Sequence, residues 1–223
     1  GMFILRKFWH VYVSEVKNMI LLYATTNPAK LDSMRRVLDS LSIELTGLCD
    51  LNLPLPDVAE TGKNPLENAV LKAKIYYEAL HTPLFSCDSG LYFEELPDEL
   101  QPGTHIRRVG GRSLSDEEMI SYYSDLAGKH GGTLTGRYKN AVCLIFDPDH
   151  IYSSMDESIW TEPFLLTDTP HSKRVAGYPL DSLSLDCKTR KYYYDLPDQE
   201  EDSSTVDAGY RAFFEAHCRD GMR

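Results

Sequence analysis

Ile20-Leu21-Leu22-Tyr23-Ala24, followed at once by Thr25-Thr26-Asn27-Pro28-Ala29-Lys30, is the stretch that decides the fold of this chain. A short, continuous apolar run of this kind is typical of a strand that is buried on both faces of a sheet. Asn27 is a favoured helix N-cap, and Pro28 is a favoured first residue of a helix. Apolar side chains then recur at helical spacing, at Leu31, Met34, Leu38 and Leu41. The stretch therefore predicts a strand, a tight turn and a helix, and with them an α/β protein.

The start of this helix has the features of a phosphate-binding site. Backbone N–H groups at a helix N-terminus have no partner within the helix, and they lie at the positive end of its dipole. Thr25 and Asn27 add side-chain donors, Lys30 adds a positive charge, and we assign Thr26 to substrate binding with them. The same residues also fit a capped helix with a solvated lysine, and this segment alone favours that simpler interpretation.

Two further charged residues are associated with a second predicted helix. Apolar residues trace one face of it, at Leu66, Ala69, Val70, Ala73, Tyr77 and Leu80. Lys72 lies on another face, one turn after Asn68, and its ammonium group could reach a second phosphate. Glu60, next to Thr61-Gly62, could bind a metal ion. Each has an ordinary alternative, a solvated lysine and an acidic loop residue.

Asp88 follows the apolar run Pro83-Leu84-Phe85 and precedes Ser89-Gly90. This position predicts a carboxylate at the end of a buried strand, where the active sites of open α/β sheets collect. Burial of a carboxylate is costly unless a cation or hydrogen bonds compensate. A structural Asx-turn would explain the same residues. Gly90 would permit a close turn or a close backbone approach.

The remainder of the chain continues the alternation of helices and strands. Ser115, with Glu118 three residues later, is a capping box and predicts a helix through Leu126. Strands are predicted at residues 137–146 and 151–155, and a last helix at residues 205–218 after an acidic linker at residues 198–204.

Length and composition indicate one domain. The chain has 223 residues, of which 42% are hydrophobic and 26% charged, enough for one large domain with a full core. We predict a single domain over residues 19–223, preceded by an N-terminal extension at residues 1–18. The alternation within the extension predicts either an added edge strand or an arm on a partner subunit.

Charge and cysteine content narrow the class of function. The net charge of −11 argues against a nucleic-acid polymer as partner, because surfaces that bind one are basic. The five cysteines are scattered and include no Cys-x-x-Cys pair, so neither a disulfide framework nor a zinc site is indicated. We expect a reducing, cytoplasmic location. The N-terminal apolar run is interrupted by charges, so we predict no signal peptide, and no stretch has the length of a membrane span.

The segments 24–30, 60–73 and 88–91 resemble, in their order and spacing, the inosine triphosphate pyrophosphatase family, also called the Ham1 family. The resemblance covers residues 19–112 well and then weakens. It implies hydrolysis of non-standard purine nucleoside triphosphates, such as inosine and xanthosine triphosphate, to the monophosphate and pyrophosphate. It also implies an elongated mixed sheet flanked by helices, two lobes around a nucleotide-binding cleft, and a homodimer.

The resemblance assigns the metal and the phosphates to particular residues. The glutamate of the family's Glu-Thr-Gly motif falls on Glu60, and the lysine of its Glu-Asn-Ala-x-x-Lys-Ala motif falls on Lys72. The second aspartate of its Asp-Asp-Ser-Gly-Leu motif falls on Asp88. By resemblance, Glu60 and Asp88 bind Mg²⁺ and Asp88 is the general base. The family's Thr-x-Asn-x-x-Lys phosphate motif falls on Thr25, Asn27 and Lys30.

Three further residues are assigned to substrate binding. Ser89 belongs to the same motif as Asp88, and Arg108 is the arginine of the family's Pro-Gly…Ala-Arg-x-x-Gly loop. In the family a Gly-Phe-Gly-Tyr-Asp-Pro segment helps to hold the base. Here the corresponding segment reads Val175-Ala176-Gly177-Tyr178-Pro179-Leu180, and Tyr178 is the tyrosine that it retains.

The chain also departs from the family's pattern. Cys87 replaces the first aspartate of the Asp-Asp pair, and residues 207–211 stand where the family has a base-recognising Ser-His-Arg. His171-Ser172-Lys173-Arg174 stands where the family is usually glycine-rich, and it is interpreted as either a contact to a different substrate group or an exposed basic loop.

These observations predict a Mg²⁺-dependent nucleoside triphosphate pyrophosphatase with no membrane partner. Two alternatives are the same hydrolytic machinery redirected to another nucleotide, and a non-catalytic nucleotide-binding protein. The retained Asp88, Lys30 and Lys72 favour an enzyme, because a scaffold has no chemical need for that set.

Overall fold

The computed structural model describes residues 18–197 and 205–219. Of the predicted extension only Asn18 is among them, and the predicted linker at residues 198–204 lies outside them. The helices are α1 (Pro28–Val37), α2 (Pro65–Leu80), α3 (Asp116–Gly128) and α4 (Thr205–Cys218). The strands are β1 (Met19–Tyr23), β2 (Ile43–Gly47), β3 (Leu84–Phe93), β4 (Arg108–Val109), β5 (Arg112–Ser113), β6 (Thr133–Asp147), β7 (His150–Ser154), β8 (Phe164–Thr167) and β9 (Ser184–Leu185).

The main sheet is mixed and has the strand order β2-β1-β3-β6-β8-β9, with β7 paired to β6. β1 pairs in parallel with β2 and β3, and the other pairs of this sheet are antiparallel. β4 and β5 form a separate short hairpin. The predicted α/β fold, a mixed central sheet flanked by helices, is confirmed.

The strand–turn–helix unit at the start of the domain forms as predicted. Leu21 and Leu22 in β1 are almost completely buried. The side-chain oxygen of Asn27 accepts hydrogen bonds from the backbone N–H groups of Ala29 and Lys30, so Asn27 is the N-cap. The helix ends at Val37, and Leu41 therefore lies outside the helix that its spacing predicted.

Helices cover the sheet on both faces. α1 and α4 pack against one face through a cluster that includes Leu31, Phe85 and Phe214. α2 packs against the other face through Ala69 and Ala73. α3 belongs to a third cluster at the far end of the two long strands β3 and β6. The predicted single-domain, two-lobe organisation stays a prediction.

The predicted strand end at Asp88 is wrong. β3 continues to Phe93, because it pairs with β6 without interruption from Leu84 onward. The pairing of β1 with β3 does stop at Tyr23 and Phe85, so Asp88 lies three residues beyond the end of its parallel neighbour. Gly90 makes the predicted close backbone approach. A Cβ atom at Gly90 would lie 3.0 Å from the carbonyl carbon of Gly103.

None of the helices in the described part of the chain is both long enough and apolar enough to span a bilayer.

Candidate active site

The N-terminus of α1 presents side-chain donors, but the predicted unpaired backbone N–H groups are occupied, because those of Ala29 and Lys30 donate to Asn27 Oδ1 and Pro28 has none. The Thr25 hydroxyl accepts a hydrogen bond from the Asn27 N–H at 3.1 Å. The side-chain oxygen of Asn27 accepts hydrogen bonds as the N-cap of the helix. Within residues 18–197 and 205–219, no acceptor is bound to the Thr25 hydroxyl proton or to the Asn27 side-chain N–H groups, so these donors are available to an anion. Thr26 and Lys30 are exposed beside them.

Two cavities adjoin the predicted residues. The first, which we call the Lys30 cavity, has a volume of about 190 Å³, and its lining includes Lys30, Cys87, Asp88, Ser89, Asp207 and Tyr210. The second, the Arg108 cavity, has a volume of about 600 Å³, and its lining includes Glu60, Thr61, Asn68, His105, Arg107 and Arg108. Asp88 belongs to the first cavity and is adjacent to Asn68 in the second.

Glu60 and Lys72 form an ion pair, with Lys72 Nζ 2.7 Å from Glu60 Oε1. The Lys72 side chain is only 17% exposed, and that of Glu60 is 46% exposed. Both charges act on Asp88: the Glu60 carboxylate raises the pKa of Asp88, and the Lys72 ammonium lowers it. The structure therefore brings the two predicted metal ligands and the second predicted phosphate-binding lysine together.

Asp88 is partly buried at the centre of this group. Burial is the main cause that raises the pKa of its carboxyl, while the side chain of Asn68 and the N–H of Ser89 lower it. Oδ2 of Asp88 is inaccessible to solvent and has no hydrogen-bond partner among residues 18–197 and 205–219. An acceptor in this state is energetically unfavourable, and a cation or a donor would satisfy it.

Cys87, at the position where the resemblance implies an aspartate, has an uncharged side chain. Burial raises the pKa of its thiol to about 12, although hydrogen bonds with Tyr23 and Tyr210 and the charges of Lys30 and Lys72 oppose the shift. The thiol is therefore protonated at neutral pH and contributes no negative charge. Lys30 lines the same cavity as Cys87.

The residues present fit Mg²⁺. Within the described ranges, no three His, Cys, Asp or Glu side chains are arranged to hold a metal ion by themselves. Glu60 and Asp88 supply two carboxylates, and Asp88 Oδ2 is an unsatisfied oxygen acceptor. Mg²⁺ is usually bound through one or two carboxylates together with substrate phosphates and water. This donor set suits that ion better than a fully protein-ligated metal.

Ser89, Arg108 and Tyr178 differ in their placement. The Ser89 hydroxyl donates to Asn140 Oδ1 at 2.6 Å and lines the Lys30 cavity. Arg108 is exposed and lines the Arg108 cavity. Tyr178 is 61% exposed and lines neither of these two cavities. Its contact with substrate stays a prediction.

The basic loop at residues 171–174 is engaged with the protein's own side chains. Lys173 Nζ lies 4.6 Å from the centre of the Tyr194 ring, and Arg174 Nε lies 3.0 Å from Glu117 Oε1. Neither cation lines the two cavities described above. This arrangement favours the interpretation as an exposed basic loop.

The C-terminal helix is packed where the family carries its base-recognising motif. A Cβ atom built on Gly209 would overlap the carbonyl group of Ser158, in the 3₁₀ helix Glu157–Ile159. This position therefore has no room for a side chain. Tyr210, the next residue, is buried and lines the Lys30 cavity.

Sequence reasoning assigned no role to three residues of the site. Asn68 is 1% exposed and accepts a hydrogen bond from Gly62, and Tyr210 joins the Lys30 cavity from the far end of the chain. Arg107 forms an ion pair with Asp116 in the wall of the Arg108 cavity. No sequence signal indicates that Asn68 is buried, because it lies one turn before Lys72 and away from the apolar face of α2.

Fold and site together define an α/β protein with cations and carboxylates gathered beside a helix N-terminus, an arrangement suited to a polyphosphate. Residues 21–162 match the model of the Ham1 family. The chain belongs to the Ham1 family.

Individual relatives agree with this membership. A dITP/XTP pyrophosphatase of Oceanobacillus iheyensis is 34% identical over 100 residues, which are 45% of this chain and 50% of that protein. One from Thermus thermophilus is 30% identical over 135 residues, 60% of this chain and 63% of that protein. The chain thus spans half to just under two thirds of the length of these relatives.

Solved structures show the same fold. The Staphylococcus aureus Ham1 protein has a TM-score of 0.66 at 21% identity, covering 88% of this chain and 98% of that one. A HAM1 protein from Coxiella burnetii has a TM-score of 0.67 at 20% identity, covering 92% of this chain and 100% of that one.

Proposed function

We propose that this protein hydrolyses nucleoside triphosphates, with Mg²⁺, to the nucleoside monophosphate and pyrophosphate, and that non-standard purine nucleotides are its substrate class. The observation that carries the proposal is the Asp88 carboxylate, which is partly buried, has one unsatisfied oxygen, and lies within the electrostatic reach of Glu60 and Lys72. Membership of the Ham1 family and the similarity to dITP/XTP pyrophosphatases support the reaction class. We further propose a cytoplasmic homodimer.

In this proposal the N-terminus of α1 holds the phosphates. The Thr25 hydroxyl, the Asn27 side-chain amide and the Lys30 ammonium donate to phosphate oxygens, and Lys72 contributes a second positive charge. Preorganised donors of this kind stabilise the charge that develops at the reacting phosphate. Ser89 and Arg108, which line the two cavities, and Thr26, next to Thr25, are assigned to substrate binding.

Asp88 orients the attacking water and accepts its proton. A raised pKa brings a carboxylate closer to the value that suits a general base near neutral pH. Mg²⁺ bound by Glu60 and Asp88 would supply charge neutralisation at the triphosphate. Lys72 balances the negative charge of Glu60 across their 2.7 Å ion pair.

A second candidate is the same hydrolysis of a nucleotide with another base. The packing of Gly209 against Ser158 favours it, because no side chain can extend there to read a base. A third candidate, nucleotide binding without turnover, is favoured by Cys87, which supplies no charge to a metal ion.

A panel of nucleoside triphosphates with Mg²⁺, followed by pyrophosphate release, separates these candidates. We expect turnover of dITP and XTP by the parent and a loss of roughly 10²- to 10⁴-fold in Asp88→Asn. Asp125→Asn, at an exposed position of α3, is the matched control and should retain full activity. Preference for another base would support the second candidate. Nucleotide binding by the parent with no release of pyrophosphate would overturn the proposed hydrolysis.

A further inference from the structure

Asn68 stands between the two carboxylates of the site. It lies in the first turns of α2 and is 1% exposed. Its Oδ1 accepts a hydrogen bond from the backbone N–H of Gly62 at 2.7 Å, two residues after Glu60. One end of the Asn68 amide is thus bound to the loop that carries Glu60.

Gly62 makes this contact possible. A Cβ atom at Gly62 would lie 2.8 Å from the backbone nitrogen of Asn68 and 2.8 Å from Glu67 Cβ, so any larger residue would push the loop away from α2. The neighbouring Lys63 N–H donates to Glu67 Oε2 at 2.7 Å. The loop is therefore fixed to the start of α2 at two consecutive residues.

The other end of the Asn68 amide faces Asp88. Nδ2 of Asn68 and Oδ2 of Asp88 are both buried, and neither has a hydrogen-bond partner within the part of the chain that the structure describes. The Ser86 hydroxyl donates to the carbonyl oxygen of Ala69 at 2.5 Å, which holds the residue after Asn68 against β3, two residues before Asp88. The Asn68 side chain also lowers the pKa of Asp88. A buried donor and a buried acceptor thus lie next to each other.

We propose that Asn68 is a positioning residue, whose amide holds the Glu60 loop through Oδ1 and the Asp88 carboxylate through Nδ2, so that both carboxylates are directed at one cation and its polyphosphate. This inference rests on the proposed function. Asparagine is suited to the position because its planar amide accepts on one side and donates on the other. Aspartate of the same shape accepts only, and leucine of similar size does neither.

The test compares Asn68→Leu with the parent by crystallography and kinetics. We expect the Glu60 loop and the Asp88 carboxylate to be displaced in the Asn68→Leu structure by about 1 Å, enough to cost about 10²-fold in rate. We also expect kcat to fall by 10- to 100-fold, as for other residues that support metal ligands. KM should stay within about twofold, because the phosphate donors of α1 are untouched.

Asn64→Ala is the matched control for a purely structural effect. Asn64 caps α2 through the N–H of Glu67, so its loss should lower Tm without changing kcat at a temperature where the variant is folded. If Asn68→Leu behaves like Asn64→Ala, with a lower Tm and an unchanged kcat, the positioning role is overturned.

Asn68→Asp keeps the test open should Asn68→Leu fail to fold. It retains the acceptor for Gly62, so the Gly62 amide resonance should stay in place in ¹H–¹⁵N spectra while kcat falls. An unchanged kcat in this variant would also overturn the inference. If the parent releases no pyrophosphate from any nucleotide, the proposed function fails, and the displacement of the two carboxylates then tests the role of Asn68 alone.

Discussion

Lys72 Nζ lies 2.7 Å from Glu60 Oε1, so the residue assigned to a phosphate and the residue assigned to a metal ion are paired with each other. The pair is partly open to solvent, and pairs of this kind contribute little to stability. Its importance lies in holding a half-buried ammonium group at the edge of the site. A bound triphosphate would then compete with Glu60 for the same three N–H donors.

We predict that Lys72→Met lowers kcat/KM by about 10- to 100-fold with little change in Tm. A hydrogen bond to a charged group contributes about 1.5–3 kcal/mol, and each 1.4 kcal/mol corresponds to about a factor of ten. Steady-state pyrophosphate release and thermal unfolding measure the two quantities. Lys74→Met is the matched control, because Lys74 lies on the same helix and is exposed. Equal activity of both variants would exclude a substrate role for Lys72.

We predict that Cys87 is chemically inert at moderately alkaline pH. Its thiol pKa is raised to about 12 by burial, so roughly one thiol in 10⁴ is ionised at pH 8, and the thiolate is the reactive form. Alkylation with iodoacetamide at pH 8, followed by peptide mass spectrometry, should modify the exposed Cys49 at least 100-fold faster. Modification of Cys87 at a similar rate would show that its thiol is neither buried nor neutral.

Asp116 should make a pH-dependent contribution to stability. Its two oxygens accept hydrogen bonds from the Gly177 N–H and from Arg107, each at 2.7 Å. These contacts hold the pKa of Asp116 below its ordinary value, with the Gly177 N–H as the larger cause. A lowered folded-state pKa stabilises the protein above the unfolded value of about 3.9, and the contribution is lost as pH falls through the folded-state value.

Asp116→Asn should therefore be less stable than the parent at pH 7, and the difference should shrink near pH 3. Urea unfolding at the two pH values measures it. The exposed Asp125→Asn serves as control on the same helix and should differ little from the parent at either pH. A difference for Asp116→Asn that is the same at pH 7 and pH 3 would contradict this assignment.

The sequence predicted those elements whose signals are local. The apolar face predicted from Leu66 to Leu80 lies within α2, and the last helix was predicted at about the bounds of α4, because apolar periodicity acts within a few turns. The convergence of Lys30, Glu60, Lys72 and Asp88 was predicted through the resemblance. The structure places Lys30 and Asp88 in the lining of one cavity and Glu60 in the lining of the other, and it pairs Lys72 with Glu60.

The missed features depend on contacts between distant parts of the chain. Nothing near Asp88 indicates that β3 continues, because the ladder that extends it is formed with β6, about 50 residues later. The chain likewise gives no local sign that Tyr210 reaches Cys87. Asn68 was seen only as a polar residue one turn before Lys72, because the Gly62 N–H that it binds lies in a loop outside the helix.

Two glycines at helical positions should respond to alanine in opposite directions. At Gly209 a Cβ atom would overlap the Ser158 carbonyl group, so Gly209→Ala must separate α4 from the 3₁₀ helix Glu157–Ile159. We expect a loss of about 1–3 kcal/mol, typical of overpacking.

At Gly128, the last residue of α3, the nearest atom to a Cβ is Asp168 Cβ at 3.8 Å, an ordinary contact. Gly128→Ala should stabilise the protein by about 0.4–1 kcal/mol, because it restricts the unfolded chain.

Urea unfolding of the two variants and the parent gives both values under the same conditions. The pair is informative because each substitution adds the same methyl group to a helical glycine, so propensity alone would make both stabilising. A gain in stability for Gly209→Ala would mean that α4 does not contact Ser158, and a side chain that reads a base could then occupy this position. A loss in stability confirms the contact and keeps this position closed to base recognition.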